Sequence, residues 1–485
     1  MKFNFKIILS LLGLLLSLNG VFMLLCLPFS IYYQEEWYYF LVSSGITIGI
    51  GFPLWLYFNS REGNRELKKK DGYLVVTLVW LVMSFSGSLP YYLSGEIPSF
   101  TNAFFETMSG YTTTGSTILD NIEAMPKGLL FWRSLTQWIG GMGIIVLAVA
   151  ILPLLGIGGM QLFVAEAPGI SPDKLKPRIK ETAKRLWLIY LGLTVVEAIL
   201  LKIGGMGYFD AINHALTTLA SGGFSTKQQS IAYFQTPFIQ YVIIIFMAIA
   251  GTNFTLIYFV IKGKLKKVLS NEEFKYYVLL IVMFTLICFS TLATITNDSL
   301  ELTFRKSMFQ VISIITTTGY TIADYTTWGT LLTFLFFIMM FIGASAGSTA
   351  GGVKIVRHII LFKNSFLEMK RLLHPSAIIP VRFNNKAVNQ DITFNVLAFI
   401  MMYILVFTIG ALTMSLIGLD FTTAVGSVAS TLGNVGPGIG NVSPSNSFSA
   451  IPTVGKWFLS FLMLLGRLEL FTIMMLLTPY FWRKL

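Results

Sequence analysis

Two stretches of this chain, about two hundred residues apart, read "YTTTGST" (111–117) and "ITTTGYT" (315–321). Each threonine offers two oxygens, a hydroxyl and a carbonyl. Glycine lets the backbone turn a carbonyl into a shared space where a Cβ would be strained. Gathered around one axis, such oxygens can replace the hydration shell of a cation such as K+. Weaker relatives occur twice more. Aligned by eye, the four phrases are "FTNAFFETMSGYTTTGST", "FDAINHALTTLASGGFST", "FRKSMFQVISIITTTGYT" and "FTTAVGSVASTLGNVGPG". This alignment brings Gly115, Gly223, Gly319 and Gly433 into register, 108, 96 and 114 residues apart. A near-regular period marks an internal repeat. The expected cation ligands are Thr112, Thr113, Thr114 and Gly115, then Ala220, Ser221, Gly222 and Gly223. In the later repeats they are Thr316, Thr317, Thr318 and Gly319, then Ser430, Thr431, Leu432 and Gly433. One glycine phrase would mean little, because glycine turns are common near membrane surfaces. Four such phrases in one chain carry weight.

The elements that must position these phrases are set by composition. Of 485 residues, 54% are hydrophobic and only 12% charged, against roughly 25% charged in soluble domains. Mean hydropathy is +0.71. The chain reads as an all-α polytopic membrane protein. About twenty apolar residues cross a bilayer. Ten spans are expected, near 6–32, 37–59, 73–93, 129–155, 182–203, 237–261, 276–296, 329–363, 391–418 and 453–479. The first is too long for a signal-peptide core. With the N-terminus inside, 27 of the 35 Lys and Arg fall on inner segments. That bias places both termini in the cytoplasm. It also accounts for the net charge of +12 as basic loops facing anionic lipid, which argues against nucleic acid as a partner. Cys26 and Cys288 lie inside apolar spans and suggest neither a disulfide nor a metal cluster.

The four outer loops each open with a helix-like stretch too short to cross, then run into a glycine phrase. The unit is helix, half-helix, polar strand, helix. Irregular backbone survives in a bilayer only where protein buries it or a wet cavity adjoins it. Four such segments therefore imply a common cavity, with half-helix C-termini aiming partial negative charge at its centre. The expected organisation is an N-terminal two-helix extension (1–70) and four pore repeats at 71–180, 181–270, 271–388 and 389–485.

Two further features stand out. "GASAGSTAGG" (343–352) interrupts the eighth span with four glycines and several small residues. Small residues can simply let helices pack closely, but this density suggests local unwinding beside a wet cavity, with Lys354 near the inner mouth. Arg467 lies within the last span, where a charge costs about 2.5–3.5 kcal/mol on the mildest scale. It is either a structural arginine paired with a neighbour or carbonyls, or a fixed charge in the pore. Glu469 is on another helix face and a poor partner. His214 reads as a packing residue, His358 and His374 as solvated. Glu35, Glu36, Glu96, Glu106, Asp120 and Glu123 either draw cations to the mouth or form a solvated outer surface. No phosphate loop, nucleophile elbow or HExxH motif is found, so no enzyme is expected.

The sequence resembles the Trk/Ktr/HKT superfamily of potassium transporters, closest to the bacterial TrkH type. The resemblance rests on the four repeats, "TTTGST" and "TTTGYT", "GASAGSTAGGVKI" and "LLGRLELF". It covers nearly the whole chain, and the additional N-terminal helix pair favours the TrkH over the KtrB type. It implies four repeats, each a helix, a pore loop and a helix, in pseudo-fourfold arrangement around one pore. It implies a K+ selectivity filter at the four phrases, with K+ the only cofactor. An intramembrane gate would comprise Gly343, Gly347, Ser348, Thr349, Gly351, Gly352 and Lys354, with Arg467 beside it. It also implies a homodimer in a bacterial inner membrane and a cytosolic nucleotide-binding regulator of the TrkA kind. The second and fourth phrases depart from T-T-G, so a less regular ligand ring is expected, passing Rb+ and some Na+. The resemblance also implies that glycine rather than serine at position 115 favours potassium, since a serine there goes with sodium transport in the plant branch of the superfamily. A coupled symporter working by alternating access remains the alternative. Such folds usually carry inverted repeats.

Overall fold

The computed structural model describes residues 3–59, 69–146, 175–377 and 379–483. The end of the expected fourth span, the basic segment 61–68 and part of that at 174–185 lie outside the described residues.

The N-terminal pair is α1 (Phe5–Leu24), continued by α2 (Leu27–Tyr32), and α3 (Tyr38–Asn59). α1 and α3 touch backbone to backbone. A Cβ on Gly13 would lie 2.7 Å from the Gly51 carbonyl oxygen, and one on Gly51 would lie 2.8 Å from that of Gly13. In lipid, where apolar side chains alone give little drive for association, this close approach supplies the packing.

The same order of elements then recurs four times. The first unit is α4 (Lys69–Gly87) with α5 (Leu89–Leu93), half-helix α6 (Phe100–Tyr111) and α7 (Lys127–Val146). The second is α8 (Leu175–Ile203), half-helix α9 (Tyr208–Leu219), α10 (Pro237–Ala250) and α11 (Phe254–Ile261), with the short α12 (Leu265–Leu269) leading inward. The third is α13 (Glu272–Ile295), half-helix α14 (Leu300–Ile315), α15 (Thr330–Met339) and α16 (Ile355–Leu373). The fourth is α17 (Gln390–Leu416), half-helix α18 (Phe421–Gly433), α19 (Thr453–Arg467), α20 (Phe471–Leu477) and α21 (Pro479–Trp482). Residues 382–383 and 386–387 pair as a small antiparallel hairpin between α16 and α17.

The half-helices have 12, 12, 16 and 13 residues, about 18–24 Å at 1.5 Å per residue, too short for a core of about 30 Å. Polar caps start two of them. Ser299 Oγ accepts from the Leu302 amide at 3.3 Å, and the Asp420 carboxylate from that of Thr423 at 3.1 Å. Their C-terminal halves are buried on all sides, whereas membrane-spanning helices such as α8 and α13 leave apolar side chains exposed on one face.

The fourth of the ten expected spans runs past the described residues, and not all of the others are single straight helices. Among the described residues, six helices are long and apolar enough to cross on their own. Two more spans are bent pairs, α10 with α11 at 108° and α19 with α20 at 120°. The third unit has the expected interruption, between Met339 and Ile355. Thus the post-strand helix is broken in the second, third and fourth units, although the sequence advertised only one break. At the first bend Asn253 caps α11, its side chain accepting from the Thr255 amide at 2.8 Å. At the last, Glu469 and Leu470 hold left-handed φ of 56° and 44°, which costs about 1–3 kcal/mol per residue unless the surroundings enforce it.

Candidate functional site: four strands closing a ring above a buried loop

Each half-helix ends in the same backbone sequence. A residue in the left-handed region comes first: Thr113 (φ 52°), Ser221 (53°), Thr317 (54°) and Asn434 (52°). One residue with ordinary φ follows, then a left-handed glycine: Gly115 (82°), Gly223 (73°), Gly319 (77°) and Gly436 (105°). The middle residue closes the helix identically each time. Thr114, Gly222, Thr318 and Val435 donate their amides at 2.9 Å to the carbonyls of Ser109, Thr217, Ser313 and Ser430.

This shifts the fourth phrase by three residues. Gly433 is the last residue of α18, and Ser430, Thr431 and Leu432 lie within its final turn. Leu432 packs in the hydrophobic core. The Thr431 hydroxyl donates to the Ser427 carbonyl at 2.7 Å. The fourth strand is Asn434-Val435-Gly436, and the true separations of the aligned glycines are 108, 96 and 117 residues. A local signal was present, since Ser109, Thr217, Ser313 and Ser430 each stand six residues before the strand glycine. Matching T-T-G by eye passed over it.

The four glycines close a cycle. A Cβ on Gly115 would collide with the carbonyl oxygen of Gly222, one on Gly223 with that of Thr318, and one on Gly319 with that of Val435. One on Gly436 would lie 2.9 Å from that of Thr114. Each repeat's glycine thus abuts the same position of the next, and the fourth returns to the first. Glycine is required twice over, by left-handed φ and by lack of room. All four glycines border one outer cavity, together with Thr117, Ser225, Lys227 and Asn446. Despite their different sequences, the second and fourth strands share the backbone pattern of the other two.

Side chains brace the ring from behind. The Thr112 hydroxyl donates to the Met108 carbonyl (2.7 Å) and meets Thr114 Oγ1 (2.8 Å). Thr316 repeats this with Ile312 (2.7 Å) and Thr318 (2.8 Å). These four hydroxyls, expected as cation ligands, are engaged with the scaffold. Ala220 caps α9 and has no hydroxyl. Gln137 ties the second strand instead, donating to the Gly222 carbonyl at 2.7 Å and accepting from the Phe224 amide at 3.1 Å. Asn434 Nδ2 reaches Thr114 Oγ1 and the Met463 carbonyl, both at 2.9 Å. Sequence reading missed Gln137 and Asn434.

Glu106 also changes place. It was expected at the mouth or on a solvated surface but is 1% exposed and paired with Arg133 at 2.6 Å. Its carboxylate accepts from the Thr117 hydroxyl and the Ile118 amide, each at 2.9 Å. Arg133 also donates to the Ser225 carbonyl at 2.8 Å and covers the Phe224 ring at 3.5 Å. One buried ion pair therefore clamps the outer ends of the first two strands. Glu35 accepts from the Lys127 and Gly128 amides at the start of α7. His214 is a satisfied packing residue, bonded to the Asp210 carbonyl (2.7 Å) and Ser225 Oγ (2.9 Å). His358 is half-buried against the Phe341 carbonyl at 3.2 Å rather than solvated.

The segment 343–352 lies directly beneath the strands. Thr349 Oγ1 meets Ser221 Oγ at 2.8 Å and donates to the Leu219 carbonyl at 2.9 Å. The Gly351 amide donates to Thr317 Oγ1 at 2.7 Å. A Cβ on Gly351 would lie 2.8 Å from the Cβ of Asn434, the first residue of the fourth strand. The loop thus touches the inner ends of three strands. Left-handed Gly343, Gly347 and Gly352 permit its folding. Gly347 packs on Asn253 at the α10–α11 bend, and its carbonyl accepts from the Phe254 amide at 3.1 Å. The Ser348 hydroxyl turns back to the Ser345 carbonyl at 2.6 Å. From below, Glu273 accepts from the Ala346 amide at 2.7 Å.

Arg467 ends α19 and donates to the carbonyls of Thr349 (2.8 Å) and Gly140 (3.1 Å). It is the carbonyl-paired arginine weighed above, and one of its two partners is the loop. Lys354 does not extend to an open mouth. It is 8% exposed and its ammonium returns to the Ala350 carbonyl. Glu469 binds Arg357 on α16 at 2.5 Å, which ties the last helix break to the helix that follows the loop.

The model of the family described as "TrkH: Cation transport protein" matches residues 41–483. The chain is 42% identical over 489 residues to the Trk system potassium uptake protein TrkH of Escherichia coli, covering 99% of this chain and 100% of that one. It is 40% identical over 487 residues to the protein of that name from Halomonas elongata, with the same coverage. The crystal structure of the potassium transporter TrkH from Vibrio parahaemolyticus superposes with a TM-score of 0.91 at 39% identity, covering 99% of this chain and 100% of that chain. Fold and matches together define a multi-pass membrane protein of the cation-transport class. The chain belongs to the TrkH family.

Proposed function

We propose that this protein is the pore-forming subunit of a potassium uptake system. K+ passes through the ring of Thr113–Gly115, Ser221–Gly223, Thr317–Gly319 and Asn434–Gly436, and the loop 343–352 gates it from below. The observation that carries this reading is the closed cycle of contacts among the four strand glycines, all opening on one outer cavity. Carbonyl rings replace hydration shells, and the C-terminal ends of the half-helices add favourable potential for a cation. The loop lies directly beneath the strands, bonded to Ser221 and Thr317, and Arg467 holds its Thr349 carbonyl.

In this reading the protein sits in a bacterial cytoplasmic membrane with both termini inside, which the distribution of Lys and Arg supports. It pairs as a homodimer and answers to a cytosolic nucleotide-binding subunit of the TrkA kind. The relatives' printed names, proteins of a Trk system, support a multicomponent assembly. The task is transport rather than catalysis, and K+ is the cargo.

The test is rubidium uptake into liposomes holding the purified protein, with unlabelled potassium or sodium as competitor. Potassium should compete far better than sodium, and shortening 343–352 should raise the rate without a proton gradient. Uptake that depends on an imposed proton or sodium gradient would overturn the pore reading in favour of a coupled symporter.

A further inference from the structure

The second strand is the one whose sequence offers least support. Where the first and third strands have Thr112–Thr114 and Thr316–Thr318 hydroxyl pairs, it has Ala220 and Gly222. Something else must hold the end of α9. Behind it, on α8, lies Glu197. Its neighbours Val195, Val196 and Ile199 are about half exposed on the lipid side, whereas Glu197 is 0% exposed. Neither carboxyl oxygen has a hydrogen-bond partner among the described residues. No Lys, Arg or His among them pairs with it. The group beside the carboxyl is the Thr218 hydroxyl, and the hydroxyls of Tyr190 on α8 and Tyr320 lie in the same region.

The hydroxyl protons nearby are already committed. Thr218 donates to the His214 carbonyl at 2.7 Å. Tyr190 donates to the Trp138 carbonyl at 3.1 Å. Tyr320 shares a 2.5 Å contact with Thr217 Oγ1 and lies 3.2 Å from the His214 carbonyl. His214 itself has both ring nitrogens engaged. What remains for Glu197 are lone pairs. An ionised carboxylate can only accept, so among the described residues it would be buried without a donor or counter-charge, a strongly disfavoured state. A neutral carboxyl has one hydrogen to give, and Thr218 Oγ1 can take it.

We propose that Glu197 works as a neutral carboxylic acid that donates to the Thr218 hydroxyl and so positions the second strand. The chain runs from Glu197 to Thr218 to the His214 carbonyl, where Tyr320 arrives from the third strand, one residue beyond Gly319. Glu197 thereby couples two adjacent strands from behind, in place of the missing threonine pair. It is a positioning residue, and its effect on selectivity rests on the filter reading above.

The test uses the full chain in liposomes with Glu197→Gln, which keeps a donor, and Glu197→Leu, which keeps apolar bulk alone. Infrared spectra at neutral pH should show a neutral-carboxyl band in the wild type that Glu197→Gln lacks. Glu197→Gln should hold potassium-over-sodium discrimination within about twofold, whereas Glu197→Leu should erode it about tenfold, as loss of one buried hydrogen bond implies. Wild-type discrimination should decline reversibly on alkaline titration while that of Glu197→Gln stays flat. A missing band, or Glu197→Gln failing as badly as Glu197→Leu, overturns the proposal. So does Glu197→Leu behaving as wild type. If wild-type uptake shows no preference for potassium, the filter reading fails instead, and the infrared band still decides the protonation state.

Discussion

Gly436→Ala and Gly433→Ala separate the ring from the helix that leads to it. At position 436 an alanine would have to hold φ near 105°, a region costing about 1–3 kcal/mol for a residue with a Cβ. The added carbon would also lie 2.9 Å from the Thr114 carbonyl oxygen, well inside ordinary contact, so the first strand must move. If that strain falls on the ion-holding geometry, it lowers potassium-over-sodium discrimination by about five- to a hundredfold, since each 1.4 kcal/mol is tenfold. At position 433 the backbone is helical, where alanine is favoured over glycine by about 1 kcal/mol. Its Cβ meets the Met340 carbonyl oxygen at 2.8 Å, at the entrance to the interrupted segment. Gly433→Ala should therefore change the rate of uptake and leave the ratio within about twofold. Competition of potassium and sodium against rubidium uptake reads both. Loss of the ratio in Gly433→Ala with Gly436→Ala unaffected would refute the assignment of the fourth strand.

Two other outcomes follow from the contacts. Arg467→Gln removes charge-assisted bonds to the Thr349 and Gly140 carbonyls, each worth about 1.5–3 kcal/mol. Freed of this latch, the loop should open more often and rubidium uptake rise about tenfold or more, and a fall in uptake by a protein of normal thermal stability would show that the arginine does not restrain it. Glu106→Gln leaves Arg133 buried without its counter-charge and should destabilise the protein by about 3–5 kcal/mol. Its melting temperature in detergent should drop clearly, and replacing both partners by apolar residues of similar volume should recover part of the loss.

Much of this protein is set locally. Apolar runs and basic blocks determine that the chain lives in a membrane, because the bilayer's thickness and potential act on each segment separately. Four half-helices and three of the four strand glycines were legible for the same reason, since a left-handed turn after a short helix demands glycine wherever the chain ends up. In "GNVGPG" that argument does not choose. Gly433 and Gly436 both satisfy a turn, Asn434 tolerates left-handed φ, and only the helix-closing bond from Val435 to Ser430 and the approach of the Thr114 carbonyl select Gly436. The threonine hydroxyls carry no record of which way they face, and packing turned Thr112, Thr114, Thr316 and Thr318 to the scaffold. The break at 468–470 has no glycine or proline to announce it. It exists where the Arg357–Glu469 pair, supplied from 112 residues away, helps hold two left-handed residues in place. Glu106, expected at the surface, is buried because Arg133 and the first strand come to meet it. Sequence thus determined which segments cross and where the half-helices end, while the tertiary structure decided where two of the later helices break, which oxygens remain for an ion and which charges are buried in pairs. Those choices depend on partners that no local rule contains.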